Sequence, residues 1–360
     1  MHNPLDRRRF IKLGMVSSAF IKHPFSLFSL NKSDPTYRHL PRWRGFNLLE
    51  KFDGKRNQPF VLTDFQWMHD WGFDFVRLPM SYHCWSSPAD WMRMDENILK
   101  EIDQAIEFGQ KYKIHVNLNL HRVPGYCVNP PAEPLDLWKD SKALDAAAFQ
   151  WQQFAKRYRG TSNSKVSFDL INEPANVSEA DYTRVINHIC QAIRAEDSNR
   201  LIIADGLQYG TIPVPSLINT KIAQSTRGYG PFQLTHYKAP WVKGSDAWPE
   251  PQWPYSKNGS DVWDKNRLIK ETYSSWKDLN SKKVGVHVGE WGAYNHTPHD
   301  VVLSWMKDIL AIWKDAGWGW SLWNFRGAFG ILDSNRADVT YEDFNGHKLD
   351  RKMLQLLQSN

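Results

Sequence analysis

The sequence predicts an α/β protein folded as a single-domain (β/α)8 TIM barrel. From Arg44 onward, short apolar segments alternate with longer segments of helical periodicity, which is the pattern of repeated βα units around a parallel sheet. Eight such units can be counted, and eight units close a barrel. A doubly wound open sheet is the alternative. A chain of 360 residues is within the size of single-domain barrels. We therefore expect one barrel domain over residues 32–360.

The predicted strands are short, and several are almost continuously apolar, as strands buried on both faces should be. In chain order they cover residues 44–49, 74–79, 114–121, 166–172, 201–205, 232–237, 284–290 and 318–324. Between them, residues 95–112 carry one apolar stripe, and Ser178 can cap a helix over residues 179–195. A last helix over residues 349–357 would complete the outer ring.

Two long loops, residues 122–138 and 239–263, follow the third and sixth predicted strands; both are rich in proline, and the second is also rich in tryptophan. In a barrel such loops shape the face on which the active site forms. The chain also contains 18 Trp and 13 Tyr. Because flat amphipathic rings can stack on sugar rings, we interpret several of them as surface platforms, with an aromatic-rich core as the alternative.

The N-terminal residues 1–31 resemble a twin-arginine signal peptide. Arg7-Arg8-Arg9-Phe10-Ile11-Lys12 precedes a short apolar stretch over residues 13–21. This pattern predicts export to the periplasm or the outside of a bacterial cell, and an uncleaved N-terminal tail is the alternative. No stretch is apolar for the roughly 20 residues that a membrane span needs.

The charge pattern argues against nucleic acid as a partner, and the cysteine pattern argues against a disulfide framework. Of the net charge of +6, +4 lies in residues 1–31, and the rest of the chain has no Lys/Arg-rich run. Nucleic acid is therefore not an expected partner. Cys84, Cys127 and Cys190 are odd in number and widely spaced, which favours buried free thiols and leaves a Cys84–Cys127 bridge as the alternative. We expect a monomer.

Polar side chains cluster where the predicted strands end, and barrel active sites are built at the carboxyl ends of strands. They are Arg77, His121, Asn172, Glu173, His236, Tyr237, Glu290 and Trp323. Two carboxylates stand out: Glu173 in Asp-Leu-Ile-Asn-Glu-Pro and Glu290 in Val-His-Val-Gly-Glu-Trp. Glycoside hydrolysis needs such a pair, one protonated to supply a proton to the leaving oxygen and one ionised to attack the anomeric carbon.

The ordered set of motifs closely resembles glycoside hydrolase family 5 over roughly residues 40–345. The resemblance is carried by Asn172-Glu173-Pro174 and Glu290-Trp291, together with Arg77, His121, His236 and Trp323. It implies a retaining hydrolase that cleaves β-glycosidic bonds of a β-glucan, a β-mannan or a related oligosaccharide without a cofactor or metal. Glu173 would be the general acid/base and Glu290 the nucleophile.

The same resemblance implies roles for the remaining residues. Arg77 would keep the nucleophile ionised, and Asn172 would bond the sugar 2-hydroxyl. His121 and Trp323 would contact the sugar on the non-reducing side of the scissile bond, in subsite −1. His236 would lie near Glu173, and Asn47 matches a motif of the first strand that contributes to substrate binding.

One position departs from the family pattern. The family often places a tyrosine two residues after the histidine of strand six, where it contacts the nucleophile, whereas Tyr237 follows His236 directly. A one-residue shift turns a strand side chain to the other face. Tyr237 would therefore reach Glu290 only if a bulge re-aims it, and Lys238 is the alternative contact.

Two other functions and the choice of substrate stay open. A metal-dependent hydrolase would use the many imidazoles, but His83, His115, His121, His236, His287 and His296 lack the paired spacing of a zinc motif. A glycan-binding protein without catalysis would keep the aromatic loops but has no need of both carboxylates. The loops set the substrate, and their length favours exo-action on short chains over endo-action.

Overall fold

The computed structural model describes residues 34–256, 259 and 261–360, and eight parallel strands form its centre. They are β1 Arg44–Asn47, β2 Phe75–Ser81, β3 His115–Val123, β4 Val166–Asp169, β5 Ile202–Asp205, β6 Ala223–Gly228, β7 Val286–Trp291 and β8 Gly319–Leu322. Each strand pairs in parallel with the next, and β8 pairs with β1, so the ring is closed. The predicted TIM barrel is confirmed.

Helices surround the barrel. Longer α-helices follow most strands: Leu62–Asp70, Glu96–Tyr112, Ser141–Arg157, Glu179–Glu196, Ser274–Ser281, His299–Ala316 and Arg351–Gln358. Short helical segments occupy the connections: Tyr82–Cys84, Leu207–Gly210, Pro215–Thr220, Phe232–Thr235, Ser245–Ala247, Lys265–Arg267 and Leu268–Tyr273. Ser178 caps its helix as predicted, because its side chain accepts from Asp181 N.

Short antiparallel pairs decorate the loops. Tyr126–Cys127 pairs with the end of β3, Tyr255–Ser256 with Val262–Trp263, and Glu342–Phe344 with His347–Leu349. Cys84, Cys127 and Cys190 are free thiols, so the alternative Cys84–Cys127 bridge is wrong. The predicted signal peptide lies outside the described residues.

The sixth strand was wrongly predicted. Residues 232–237 contain the helical turn Phe232–Thr235, and the barrel strand is β6, nine residues earlier. Four consecutive polar residues of β6, Gln224-Ser225-Thr226-Arg227, are fully buried. Gln224, for example, exchanges two hydrogen bonds with the backbone of Val214 at 2.8 and 2.9 Å. Polar partners inside the barrel satisfy the hydrogen-bonding groups of these buried β6 side chains, so the strand does not need to be apolar. It therefore lacks the apolar run by which a buried strand is detected in a sequence.

Tryptophan serves mainly the core. The fully buried rings are Trp151, Trp276, Trp291, Trp305, Trp313, Trp318 and Trp320. Trp291 contacts three of them with ring centroids 4.9–6.0 Å apart. The interpretation of several tryptophans as surface platforms therefore holds for few of them, and Trp241, which is 58% exposed, is the clearest case among the described residues.

Candidate active site

The predicted nucleophile Glu290 lies in β7 and is surrounded by donors. Arg77 Nη1 donates to Glu290 Oε1 at 2.6 Å, and the hydroxyl of Tyr229 donates to Oε2 at 3.3 Å. A second cation, Arg227, has its Nη2 atom 3.6 Å from Oε1. The side chain is buried with 5% exposed, so these donors replace water around a carboxylate.

A β-bulge aims Glu290 at this position. Val288 pairs with Thr226 of β6, but Glu290 pairs with the very next residue, Arg227, so Gly289 is the extra residue of β7. A Cβ on Gly289 would lie 2.5 Å from Ser225 Oγ and 2.9 Å from Arg227 Nη1. Only glycine allows this close approach of the two strands.

The predicted acid/base Glu173 follows β4 in a left-handed conformation, with φ of 48°. Its backbone N–H donates to Asp205 Oδ2 at 2.8 Å, and its carbonyl accepts from the Tyr126 hydroxyl at 2.7 Å. These two bonds hold a backbone conformation that costs about 1 kcal/mol or more for a residue with a Cβ. The carboxyl is thereby fixed beside Arg227, whose Nε donates to Oε1 at 2.9 Å.

The surroundings of Glu173 favour its protonated form. Burial, with a further contribution from the negative charge of Glu290, raises the pKa of the Glu173 carboxyl to about 8, although Arg227 opposes this rise. The side chain keeps 17% of its surface exposed. A carboxyl that is protonated at neutral pH and still reachable from the cleft can act as a general acid.

Two buried arginines and two buried aspartates form the floor beneath the glutamates. Arg77 Nε donates to Asp169 Oδ2 at 2.8 Å, and Arg227 makes a two-pronged ion pair with Asp205. Burial and the charge of Asp205 together raise the pKa of Asp169 to about 7, although Arg77 opposes this rise. Buried charges persist only when they are paired in this way.

Asn172 links the two arginines and has one atom left over. Its Oδ1 accepts from Arg77 Nη2 at 2.8 Å and from Arg227 Nη2 at 2.9 Å. Its buried Nδ2 has no hydrogen-bond partner among the described residues. A buried donor without a partner is costly, and it matches the expectation that Asn172 donates to a sugar hydroxyl.

His121 and Trp323 form one side of the same region. Burial, together with Arg77 and Arg227, lowers the pKa of His121 well below its usual range, so the ring is neutral. Asn129 Nδ2 lies 3.1 Å from His121 Nε2, which places the ring proton on Nδ1, an atom without a partner among the described residues. The Trp323 ring stacks near His121, with centroids 5.9 Å apart.

Asn47 does not occupy the substrate-facing position that its predicted role needs, whereas no described contact joins His236 to Glu173, so the predicted role of His236 stays a prediction. Asn47 is completely buried, with its Nδ2 bonded to backbone carbonyls and its Oδ1 accepting from Arg77 at 3.1 Å, so it supports Arg77 and does not face a substrate. His236 bonds Thr235 Oγ1 at 2.9 Å and stacks on Phe232.

Tyr229 and Arg227 are the residues that sequence reasoning missed. Tyr229, and not Tyr237 or Lys238, donates to Glu290, and the Lys238 ammonium lies over the Tyr237 ring. Tyr229 comes two residues after a polar residue of strand six, which is the spacing that His236 and Tyr237 lack. That spacing was the available signal, and it places Arg227 where the family often has histidine.

The described residues include no group of three or more His, Cys, Asp and Glu side chains that could hold a metal ion. Among the helices of residues 34–360 that are described, none is long and apolar enough to cross a membrane.

A TIM barrel with this paired-carboxylate site defines a glycoside hydrolase. The chain matches the family model "Cellulase (glycosyl hydrolase family 5)" over residues 40–328, and it therefore belongs to glycosyl hydrolase family 5. It hydrolyses β-glycosidic bonds.

Relatives and solved structures agree with this assignment. The chain is 24% identical over 309 residues to Endoglucanase C of Acetivibrio thermocellus, covering 78% of this chain and 89% of the relative. It is 23% identical to Cellodextrinase A of Ruminococcus flavefaciens, covering 71% and 75%. A crystal structure of a glycoside hydrolase superposes with a TM-score of 0.84 at 38% identity, covering 88% of this chain and 99% of that one. Thermotoga maritima Cel5A in complex with mannotriose superposes with a TM-score of 0.73 at 21% identity, covering 90% and 100%, which shows the fold alone.

Proposed function

We propose that the protein is a retaining hydrolase of β-glucan or a related β-linked glycan, with Glu290 as nucleophile and Glu173 as acid/base. The observation that carries the proposal is the contrast between the two carboxyls. Glu290 accepts from Arg77 and Tyr229, which bind the ionised form, whereas burial raises the pKa of Glu173 to about 8. Two carboxyls with opposite protonation are what a double displacement requires.

In the first half of the proposed reaction, a Glu290 oxygen attacks the anomeric carbon and the bond to the leaving oxygen breaks. Glu173 gives its proton to that oxygen, and a covalent glycosyl-enzyme forms. In the second half, Glu173 takes a proton from water, the water oxygen attacks the same carbon, and Glu290 is released as a carboxylate. Two inversions give net retention.

A β-glucan is the substrate class that the relatives favour. Endoglucanase C and Cellodextrinase A carry names for activity on glucose-based chains, and a β-mannan is the second candidate because Thermotoga maritima Cel5A was crystallised with mannotriose. Trp241 and Phe232, with 58% and 46% of their surfaces exposed, both contact the ring of His236, which contacts Tyr229, and they offer flat apolar faces for sugars.

The loop over residues 122–138 supports action near a chain end. Arg122 bonds Glu133 Oε1 at 2.6 Å and the carbonyl of Asn129 at 2.9 Å, and Tyr82 donates to Glu133 Oε2 at 2.6 Å. The loop is thus tied down as a fixed wall next to His121, through Asn129. A fixed wall favours exo-action on short chains, so rapid cutting inside a long polymer would contradict this part of the proposal.

The test of the proposed function is reducing-sugar release from a panel of β-glucans, β-mannans, xyloglucan and aryl β-glycosides. We expect activity on at least one glucose-based member and its loss in Glu290→Gln, which keeps the shape of the side chain. Glycan binding with no release from any member, by a folded protein, would instead support a binding protein.

We also propose export by the twin-arginine route and a monomeric state. The support for export is the Arg7-Arg8-Arg9-Phe10-Ile11-Lys12 segment. In a bacterial host, we expect activity in the periplasmic or extracellular fraction, and its retention in the cytoplasm when Arg8 and Arg9 are both replaced by Lys. Export that persists in this variant would refute the route. Light scattering at the mass of one chain would support the monomer.

A further inference from the structure

One buried guanidinium contacts both carboxyls of the proposed reaction. Arg227 Nε donates to Glu173 Oε1 at 2.9 Å, and its Nη2 lies 3.6 Å from Glu290 Oε1. The Arg227 side chain is only 1% exposed, so its charge acts where water does not screen it. Arginine stays charged at every working pH.

We propose that Arg227 is a positioning residue that orients the acid/base and stays beside the negative charge as that charge moves from Glu290 to Glu173. The inference rests on the proposed retaining mechanism. Before the first step, the charge is on Glu290. When Glu290 forms the glycosyl ester it becomes neutral, and the proton that leaves Glu173 creates a carboxylate there. The second half reverses both changes, and the cation need not move in either direction.

The contacts also select which oxygen of Glu173 carries the proton. Oε1 is occupied by Arg227 Nε, and no donor in the described part of the chain contacts Oε2. A proton on Oε2 is therefore the one available to the leaving oxygen. Asp205 fixes this arrangement, because its two carboxylate oxygens accept from the two Nη atoms of Arg227 and one of them also accepts from the backbone N–H of Glu173 at 2.8 Å.

The effect on pH dependence follows from the charges around Glu173. The titratable and charged groups that face it are Glu290, Arg227, Asp205, Tyr229, Tyr126 and Cys127. Arg227 lowers the pKa of Glu173, whereas Glu290 and Asp205 raise it. Removing the charge of Arg227 should therefore raise this pKa, and neutralising Asp205 should lower it. Protonated Glu173 is the active form, so the alkaline limb of the pH profile moves the same way.

The experiment compares Arg227→Gln, Arg227→Lys and Asp205→Asn with wild type, using kcat/KM for an aryl β-glycoside measured against pH. We expect Arg227→Gln to move the alkaline limb up by about one pH unit or more and to lower kcat/KM about 100-fold. Arg227→Lys should return the alkaline limb close to its wild-type position, because lysine restores the positive charge. The rate should stay lower, because lysine lacks the several N–H donors of the guanidinium. Asp205→Asn should move the limb down.

Three outcomes would overturn the inference. They are a rate loss in Arg227→Gln with the limb unmoved, a limb that Arg227→Lys does not restore, or an upward shift in Asp205→Asn. If Arg227→Gln fails to fold, as thermal unfolding will show, the other two variants still decide. A wild-type protein without activity would refute the proposed function instead, so the two failures are distinguishable.

Discussion

The replacement Tyr229→Phe tests where the structure places the tyrosine that contacts the nucleophile. The change removes one hydroxyl, which donates to Glu290 Oε2 at 3.3 Å. Burial and the neighbouring carboxylates raise the pKa of Tyr229 well above its usual range, so the hydroxyl remains a donor throughout the working pH range. No other described hydroxyl donates to this oxygen atom.

The expected loss follows from the geometry of that bond. A hydrogen bond to a charged group contributes about 1.5–3 kcal/mol, and 3.3 Å is long for an O–H···O bond. The lower end, about 1.5 kcal/mol, corresponds to a roughly tenfold fall in kcat. The assay is kcat on an aryl β-glycoside at the pH optimum.

Tyr237→Phe is the matched control, because it removes the same atom from the tyrosine that the sequence offered as a contact of Glu290 only if a bulge re-aims it. We expect this variant to keep kcat within about twofold of wild type, since Tyr237 makes no hydrogen bond to Glu290. Equal losses in the two variants, or a loss only in Tyr237→Phe, would refute the placement of the sixth strand end.

Three further predictions concern the same site. The kcat/KM should fall as pH rises through about 8, because Glu173 then loses the proton that it must donate; a profile flat to pH 10 would contradict this assignment. Glu173→Gln should slow substrates with poor leaving groups about 100-fold or more and spare the first step for dinitrophenyl glycosides, which leave without a proton; equal losses on both substrates would argue against the acid role. In Gly289→Ala the new Cβ would lie 2.9 Å from Arg227 Nη1 and 2.5 Å from Ser225 Oγ, so both side chains must shift. We expect this to cost about 1–3 kcal/mol of unfolding free energy and at least tenfold in kcat. An unchanged melting temperature and rate would show that the strands tolerate the methyl group.

The sequence was sufficient for the barrel and for seven of its strands because apolar runs and turn residues repeat along most of the chain. It failed at β6, where Gln224, Ser225, Thr226 and Arg227 are polar and buried. A one-dimensional pattern assigns polar residues to the surface, and only the folded barrel supplies the partners that satisfy them. The aromatic turn after Gly230-Pro231 was mistaken for the missing strand.

In the candidate site, too, some residues could be predicted from the sequence and others could not. Glu173, Glu290, Arg77 and Asn172 follow recognisable strands, and the structure brings them together around two arginines. Asn47 was assigned to the substrate because its motif was visible, although burial gives it a supporting position. Asp205, like Arg227, acts through contacts across the barrel that have no counterpart in local sequence.

The stereochemistry of the first product tests the central claim most directly. Proton NMR of a β-glycoside reaction, recorded before mutarotation, reports which anomer forms first. The account predicts the β-anomer, because Glu290 and then water attack the same carbon from opposite faces in turn. First release of the α-anomer would show a single inverting displacement and contradict the assignment of Glu290 as nucleophile.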